Sequence, residues 1–133
     1  MRSIKHLNVK GKWIYDSAYD ILTFKVRERN YKISIEMQNF VVDIDEEGYA
    51  TGVRIFDASK IFGVDKYVLR SLVYSEFKAI IENNVITVTL KFVSKVRNKI
   101  IPLFKETQNF TQQFTAPISS QHRLADSVVE CAA

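Results

Sequence analysis

Apolar and polar residues alternate along most of this chain, which is the period expected of strands that bury one face. In residues 21–26 and 31–37 the apolar side chains fall at every second position. Joined by the loop of residues 27–30, the two segments predict an antiparallel hairpin with all its apolar side chains on one face. The predicted cross-strand pairs are Val26 with Tyr31, Phe24 with Ile33 and Leu22 with Ile35.

The same pattern predicts further hairpins. Residues 40–44 and 50–56 are joined through residues 45–48, where Gly48 can take the left-handed conformation of the turn. Residues 76–82 and 85–93 flank two asparagines, a residue type that tolerates the positive φ of a tight turn. The pairs predicted in that hairpin are Phe77 with Leu90, Ala79 with Val88 and Ile81 with Ile86, and an earlier turn would pair Trp13 with Leu22.

Helical patterns are confined to the middle of the chain. Residues 57–63 begin with the capping residues Asp57 and Ser59 and end at a glycine, which predicts a short helix. Asp65 is the predicted N-cap of a second helix, whose apolar residues at helical spacing are Val68, Leu69, Leu72 and Val73. Residues 107–121 are rich in Thr, Gln, Asn and Ser, which predicts a loosely held connection. The pattern of residues 124–131 fits a final edge strand or a short helix equally well.

These elements predict an α+β fold of mainly antiparallel β-hairpins, in which a curved sheet or half-barrel packs on two short central helices. With 133 residues, 47 % of them hydrophobic, the chain has the size and composition of one globular domain. We expect a single α+β domain over residues 1–106. Residues 107–133 are expected to form a loosely packed C-terminal extension.

Charge is distributed unevenly along the chain. The net charge is +4, and residues 1–59 hold nine basic and nine acidic side chains, so the excess lies in the second half. Residues 83–105 contain five cations and no acid. Such a stretch attracts phosphate backbones, but lysines on a strand also keep a sheet edge from pairing. The candidate nucleic-acid-binding residues are Lys91, Lys95, Arg97 and Lys99.

Several kinds of chemistry are excluded by composition. Two histidines and the single cysteine, Cys131, cannot build a zinc finger or a disulfide framework. The four glycines are too dispersed for a phosphate-binding loop, and no nucleophile elbow occurs. We therefore expect no cofactor, no metal and no catalytic constellation. The lone cysteine and the lack of any long apolar run predict a cytoplasmic protein without a membrane segment.

Two segments carry a family resemblance when they are taken together. Residues 15–24 read Tyr-Asp-x-x-x-Asp-x-Leu-x-Phe, and residues 52–59 read Gly-Val-Arg-Ile-Phe-Asp-Ala-Ser. The pair resembles the domain of unknown function 2283 family over roughly residues 13–62. Arg54 stands where that family usually has glutamate, and Thr23 where it usually has an aromatic or aliphatic residue. The resemblance implies a small β-rich domain and brings no catalytic residues with it.

The polar residues of these segments have two interpretations. In the structural one, Asp16 forms an Asx turn that Asp20 closes, and Asp57 and Ser59 cap the first helix. In the functional one, Asp16 and Asp20 converge with Asp43 and Asp45 as oxygen ligands for a divalent cation.

Three functions follow as hypotheses. The first is a non-enzymatic interaction module that forms homo-oligomers, in which an edge strand pairs with a second copy. The alternative is a nucleic-acid-binding accessory or regulatory protein that uses the basic stretch of residues 91–105. A metal-dependent enzyme is the third.

Overall fold

Ten strands and three short helices make up the described part of the chain, which in this computed structural model comprises residues 5–37, 39–96, 99–102 and 110–132. The strands are β1 (Lys5–Asp16), β2 (Ile21–Val26), β3 (Tyr31–Met37), β4 (Phe40–Asp45), β5 (Ala50–Phe56), β6 (Leu72–Glu82), β7 (Val85–Val96), β8 (Lys99–Pro102), β9 (Phe110–Thr115) and β10 (Ser127–Ala132). The helices are α1 (Ala58–Phe62), α2 (Lys66–Arg70) and α3 (Ile118–Gln121).

All ten strands belong to one continuous sheet, in which β1 joins two halves. The strand order is β3-β4-β5-β2-β1-β10-β6-β7-β8, with β9 also paired to β7. Residues 5–10 of β1 pair in parallel with β10, and residues 11–16 pair antiparallel with β2. We call β3-β4-β5-β2-β1 the first half-sheet and β1-β10-β6-β7, with β8 and β9, the second half-sheet.

Gly11 lies where β1 passes from one half-sheet to the other. A Cβ atom at this position would stand 2.6 Å from the Phe24 ring, so a larger residue would collide with the core. The Phe24 ring stacks on Phe77 of β6, with 5.2 Å between ring centroids and 12° between planes. Both side chains are 1 % exposed. This contact packs the two half-sheets face to face around β1.

Aromatic side chains also join the two half-sheets on the side away from β1. Phe40 of β4 lies 6.3 Å from the Phe114 ring of β9, in an edge-to-face contact. Phe62 at the end of α1 contacts Phe92 and Phe110. Edge-to-face aromatic pairs contribute specific packing beyond buried area. The sheet is therefore curled into a half-barrel whose interior is apolar.

The fold is β-rich with three short helices, a class compatible with the predicted α+β architecture and its curved, hairpin-built sheet. Two predicted hairpins are confirmed. β6 and β7 pair in the predicted register, and β4 and β5 pair antiparallel as predicted. Asn83 and Asn84 have φ of 52° and 66°, and Gly48 has φ of 87°. No helix among the described residues is long and apolar enough to cross a membrane.

The predicted hairpin of β2 with β3 is wrong. β2 pairs with β1 and β5, while β3 pairs with β4 and forms one end of the sheet. Alternation fixes which face of a strand is buried, but it does not identify the neighbouring strand. The pair predicted for Trp13 is also wrong, since Trp13 lies opposite Phe24 and not Leu22. That difference of two residues leaves every side chain on its predicted face.

Two predictions for later segments are also corrected. The second helix was expected to include Leu72 and Val73, but α2 ends at Arg70 and these residues begin β6. Near the C-terminus, where a final edge strand or a short helix was expected, the residues form the strand β10, but it is not an edge strand, because it lies between β1 and β6. A parallel neighbour distant in sequence leaves no local signal. Cys131, on this strand, is 7 % exposed.

Candidate functional site

The two family-like segments meet at a single carboxylate, that of Asp20. Its Oδ1 accepts hydrogen bonds from the Tyr15 hydroxyl at 2.6 Å and from the Ser59 amide at 3.0 Å. Its Oδ2 accepts the Ser59 hydroxyl at 2.6 Å, and its backbone carbonyl accepts the Ala58 amide at 3.0 Å. Asp20 therefore ties the β1–β2 turn to the start of α1, and we call these four residues the Asp20 clasp.

The rest of the turn is organised by Asp16. Its Oδ1 accepts the amides of Ala18 and Tyr19 at 3.0 and 3.1 Å, which is an Asx turn. Asp20 itself has φ of 56°, a left-handed conformation that Asp and Asn adopt more readily than most residues. Asp16 thus accepts backbone amides of the turn, whereas Asp20 accepts both backbone and side-chain donors.

Asp20 also caps the start of α1, a role that the sequence predicted for Asp57 and Ser59. Asp57 occupies the N-cap position of α1, but its φ is 55° and its side chain makes no capping hydrogen bond. Ser59 donates to Asp20 instead of accepting from the helix backbone. Asp65 precedes α2 likewise without a side-chain cap. The predicted side-chain caps at Asp57, Ser59 and Asp65 are therefore wrong. At α1 the reason is that Asp20, a residue distant in sequence, binds the first amides of the helix.

The hydrogen bonds of the clasp fix its protonation state. Burial by itself raises the pKa of Asp20, but the bonds from Ser59 and Tyr15 outweigh burial and hold the pKa below its usual range. Burial and the hydrogen bond to Asp20 raise the pKa of Tyr15 well above its usual value. Asp20 is therefore an ionised acceptor and Tyr15 a protonated donor at neutral pH.

The remaining two acids of the predicted cation site are engaged elsewhere. Asp45 accepts Arg29 at 2.6 Å and the amides of Glu47 and Tyr49, which shapes the β4–β5 turn. Asp43 accepts Arg54 at 2.9 Å. Among the described residues no group of three or more His, Cys, Asp or Glu side chains is arranged to hold a metal ion.

The basic stretch is only partly described. Lys91 and Lys95 are exposed on β7, while Arg97 and the side chain of Lys99 lie outside the described residues. Lys91 has Glu76 as its direct cross-strand neighbour on β6. Nearby, Lys78 forms a 3.4 Å ion pair with Glu130. Acids thus alternate with the lysines on this face of the second half-sheet.

An end of the sheet is formed by β3, a site that the incorrect β2–β3 hairpin concealed. β3 pairs with β4 on one side only, and its polar residues Lys32, Ser34 and Glu36 are exposed. Ile35 points into the core and is 2 % exposed. The register with β4 is irregular between Tyr31 and Ile33 and regular from there onward. The sequence feature that pointed to an edge strand was its charged side chains, Lys32 and Glu36, which lie on either side of Ser34.

The outer face of β3 is held by Arg54, the residue that departs from the family pattern. Its guanidinium donates to Asp43 and, at 3.1 Å, to the Ser34 hydroxyl, and it lies 5.7 Å from the centre of the Tyr31 ring. The Ser34 hydroxyl donates to Asp43 at 2.7 Å. These contacts tie β3 to β4 and β5 and hold the free edge in an extended conformation.

The geometry thus defines a small β-rich protein whose two family-like segments are joined at the Asp20 clasp and whose sheet ends in a free strand. The family model described as a protein of unknown function, DUF2283, matches residues 12–59. This agrees with the resemblance found in the sequence. The chain belongs to the DUF2283 family.

Two curated relatives cover more of the chain. It is 33% identical over 94 residues to "Uncharacterized protein MJ0789" of Methanocaldococcus jannaschii. The matched residues cover 70% of this chain and 81% of that protein. It is 30% identical over 90 residues to the "Putative hypoxanthine phosphoribosyltransferase" of Methanosarcina mazei, across 68% of this chain and 73% of that protein. No solved structure matches the chain significantly.

Proposed function

We propose that this protein is a non-enzymatic interaction module that self-associates through the free edge of β3. The observation that carries the proposal is the position of β3 at the end of the sheet, with its second edge unpaired among the described residues. Such an edge presents backbone N–H and C=O groups that can bind another strand. A second copy of this chain supplies a strand of matching chemistry.

The protection of this edge is limited. Protein edges are commonly blunted by short strands, prolines, lysines or bulges. β3 has seven residues and no proline, and its Lys32 and the irregular register lie at its start. By contrast, β8 has four residues and ends at Pro102, which lacks an amide hydrogen. The comparison favours β3 over β8 as the edge that pairs with another chain. The third end strand, β9, pairs only with β7 in the described part of the chain and has six residues, one fewer than β3.

The acidic residues support a non-catalytic role. Asp20, Asp43 and Asp45 each accept hydrogen bonds that hold turns or neighbouring strands together. These three aspartates, all members of the predicted cation site, serve the fold, which supports a non-catalytic role for them.

Nucleic-acid binding is the weaker hypothesis. Glu76 stands directly opposite Lys91, and Glu130 pairs with the nearby Lys78. Acids at these positions weaken the attraction of this face for phosphates. The alternation of charge on this face therefore weighs against binding to a polyanion.

Self-association predicts concentration-dependent protection of β3 from hydrogen exchange. In a dilute sample the outward amides of Tyr31–Met37 exchange with solvent, and at high concentration they bond to the second copy and exchange more slowly. Mass spectrometry at about 2 and 200 μM, a range that brackets a weak edge contact, measures this difference. Sedimentation velocity on the same samples gives the oligomeric state.

Residues 85–90 of β7 are the internal control, because this segment is paired on both sides, to β6 and β9. Its exchange is expected not to change with concentration. Sedimentation as a monomer at every concentration would refute self-association. An oligomer whose β3 amides are no better protected than those of the monomer would place the interface elsewhere and refute the role of β3.

A further inference from the structure

The amino-acid order of β3 allows the partner and the register to be specified, on the assumption that the proposed self-association holds. We infer that two copies pair β3 against β3 in antiparallel orientation, about a twofold axis that passes beside Ser34. The partner is then a second copy of this chain, and the sheets of the two copies continue into each other. The inference rests on the sequence Tyr-Lys-Ile-Ser-Ile-Glu-Met of this strand and on its exposure.

The strand is complementary to itself in this register. With Ser34 facing Ser34 of the second copy, Lys32 lies opposite Glu36 and Ile33 lies opposite Ile35. Each dimer then contains the Lys32–Glu36 pair twice. Opposite charges at directly facing positions stabilise a sheet, and like charges destabilise it. Both charged side chains are exposed in the single copy and so are available for pairing.

Neighbouring registers lack this match. An axis at Ile33 places Lys32 opposite Ser34, and an axis at Ile35 places Glu36 opposite Ser34, so no opposite charges face each other. A shift by one residue sets isoleucine against a polar side chain and turns the buried face outward. Parallel pairing in register places Lys32 beside Lys32 and Glu36 beside Glu36 of the second copy, so like charges face each other. Only the axis at Ser34 satisfies both charge and burial.

The intramolecular contacts of β3 are compatible with this pairing. Ile35 already faces the core, so Ile33 and Ile35 of the two copies continue the apolar face of the sheet. Lys32 contacts Glu46 at 3.4 Å, with 55 % and 77 % of the two side chains exposed. Ion pairs that exposed contribute little to stability, so the lysine is free to bind Glu36 of the second copy. The hydrogen bond of Ser34 to Asp43 is left intact because it lies within one chain.

A twofold arrangement also limits the size of the assembly. Each copy uses the same edge, so the contact is isologous and closes at two copies. The expected product is a dimer and not a filament. Its interface consists mainly of one strand pair, which places it among weak, reversible contacts.

Charge reversal tests the register directly. Lys32→Glu and Glu36→Lys each place like charges opposite each other twice per dimer, and we expect the dissociation constant of either homodimer to rise about tenfold or more. In an equimolar mixture of the two variants, glutamates of one chain face lysines of the other, so heterodimers form with an affinity near that of the wild type. The double variant K32E/E36K is also complementary to itself and regains dimerisation.

Sedimentation velocity gives these constants, and Lys78→Glu is the matched control. It makes the same change in net charge as Lys32→Glu, on an exposed side chain of the second half-sheet. We expect it to leave the dimer unaffected. If the wild type dimerises and neither reversal weakens the dimer, or the mixture fails to restore it, the register is refuted while self-association through β3 stands. If the wild type is monomeric, the proposed function itself fails and the register with it.

Discussion

Replacing Gly48 with alanine is expected to lower the free energy of unfolding by about 4 kcal/mol, the sum of backbone strain and overpacking. Gly48 has φ of +87°, in the left-handed region that disfavours any side chain. A Cβ atom there would stand 2.6 Å from the amide nitrogen of Ala125 and 2.8 Å from the carbonyl oxygen of Arg123. Both atoms are backbone, so relief requires the segment before β10 to move.

Gly63→Ala is the matched control for this prediction. Gly63 also has positive φ, +66°, but a Cβ atom there would meet nothing within 4 Å. Only the conformational penalty applies, so the expected loss is about 1 kcal/mol. Urea denaturation of both variants gives the two values. Equal losses would contradict the close docking of the β4–β5 turn on residues 123–125.

Replacing Asp20 with asparagine is expected to destabilise the protein by about 2 kcal/mol at pH 7, since an ionised acceptor is lost from a buried network. Asparagine retains the shape of aspartate and its tolerance of the left-handed conformation, in which φ is 56°. Its amide nitrogen cannot accept a hydrogen bond, so one of the donors on Tyr15 and Ser59 loses its partner. Chemical denaturation measures the difference.

The difference between wild type and Asp20→Asn also depends on pH. Because the folded-state pKa of Asp20 lies below the ordinary value of 3.8, ionised Asp20 stabilises the folded chain above that value. The contribution is lost as the pH falls through the folded-state pKa. Denaturation curves of the two proteins should therefore keep a constant separation near neutral pH and converge below about pH 4.

Asp16→Asn is the control, because Asp16 lies in the same turn but accepts two amides in an exposed setting. Its expected effect is below about 1 kcal/mol, as for an exposed turn residue. An Asp20→Asn protein as stable as Asp16→Asn, or a separation that persists unchanged into acid, would contradict the Asp20 clasp.

The fold was predictable where the partners are close in sequence. The β6–β7 register follows from two asparagines between alternating strands, because such a turn dictates which residues face each other. The β2–β3 hairpin met the same apolar criterion yet does not form, since β5 takes the place beside β2. Likewise β10 becomes an interior strand by parallel pairing with β1, which no local pattern reveals.

The candidate sites were predictable only in part for the same reason. Asp20 and Ser59 were both singled out from the sequence, but the bond between them spans 39 positions and replaces the expected local caps. The β3 edge does not follow from the sequence, because the alternating pattern of residues 21–37 predicts a hairpin that the structure does not form. Because β3 ends the sheet, the placement of Lys32 and Glu36 on either side of Ser34 makes this edge complementary to itself in charge.

The central claim, that two copies meet at the β3 edge with Ser34 facing Ser34, is tested most directly by a cysteine at position 34. Facing residues of antiparallel strands have Cα atoms about 4.5–5.5 Å apart, within the span of a disulfide. Ser34→Cys should therefore form a disulfide-linked dimer rapidly under mild oxidation. The native thiol does not compete, because burial raises the pKa of Cys131 to about 12.

Lys91→Cys provides an exposed thiol on the interior strand β7 for comparison. We expect the Ser34→Cys protein to cross-link at least about tenfold faster than Lys91→Cys at equal concentration, as proximity in a preformed pair accelerates a bimolecular step. Non-reducing electrophoresis over a time course gives both rates. Cross-linking of Ser34→Cys no faster than that of Lys91→Cys would contradict the pairing of two copies with Ser34 facing Ser34.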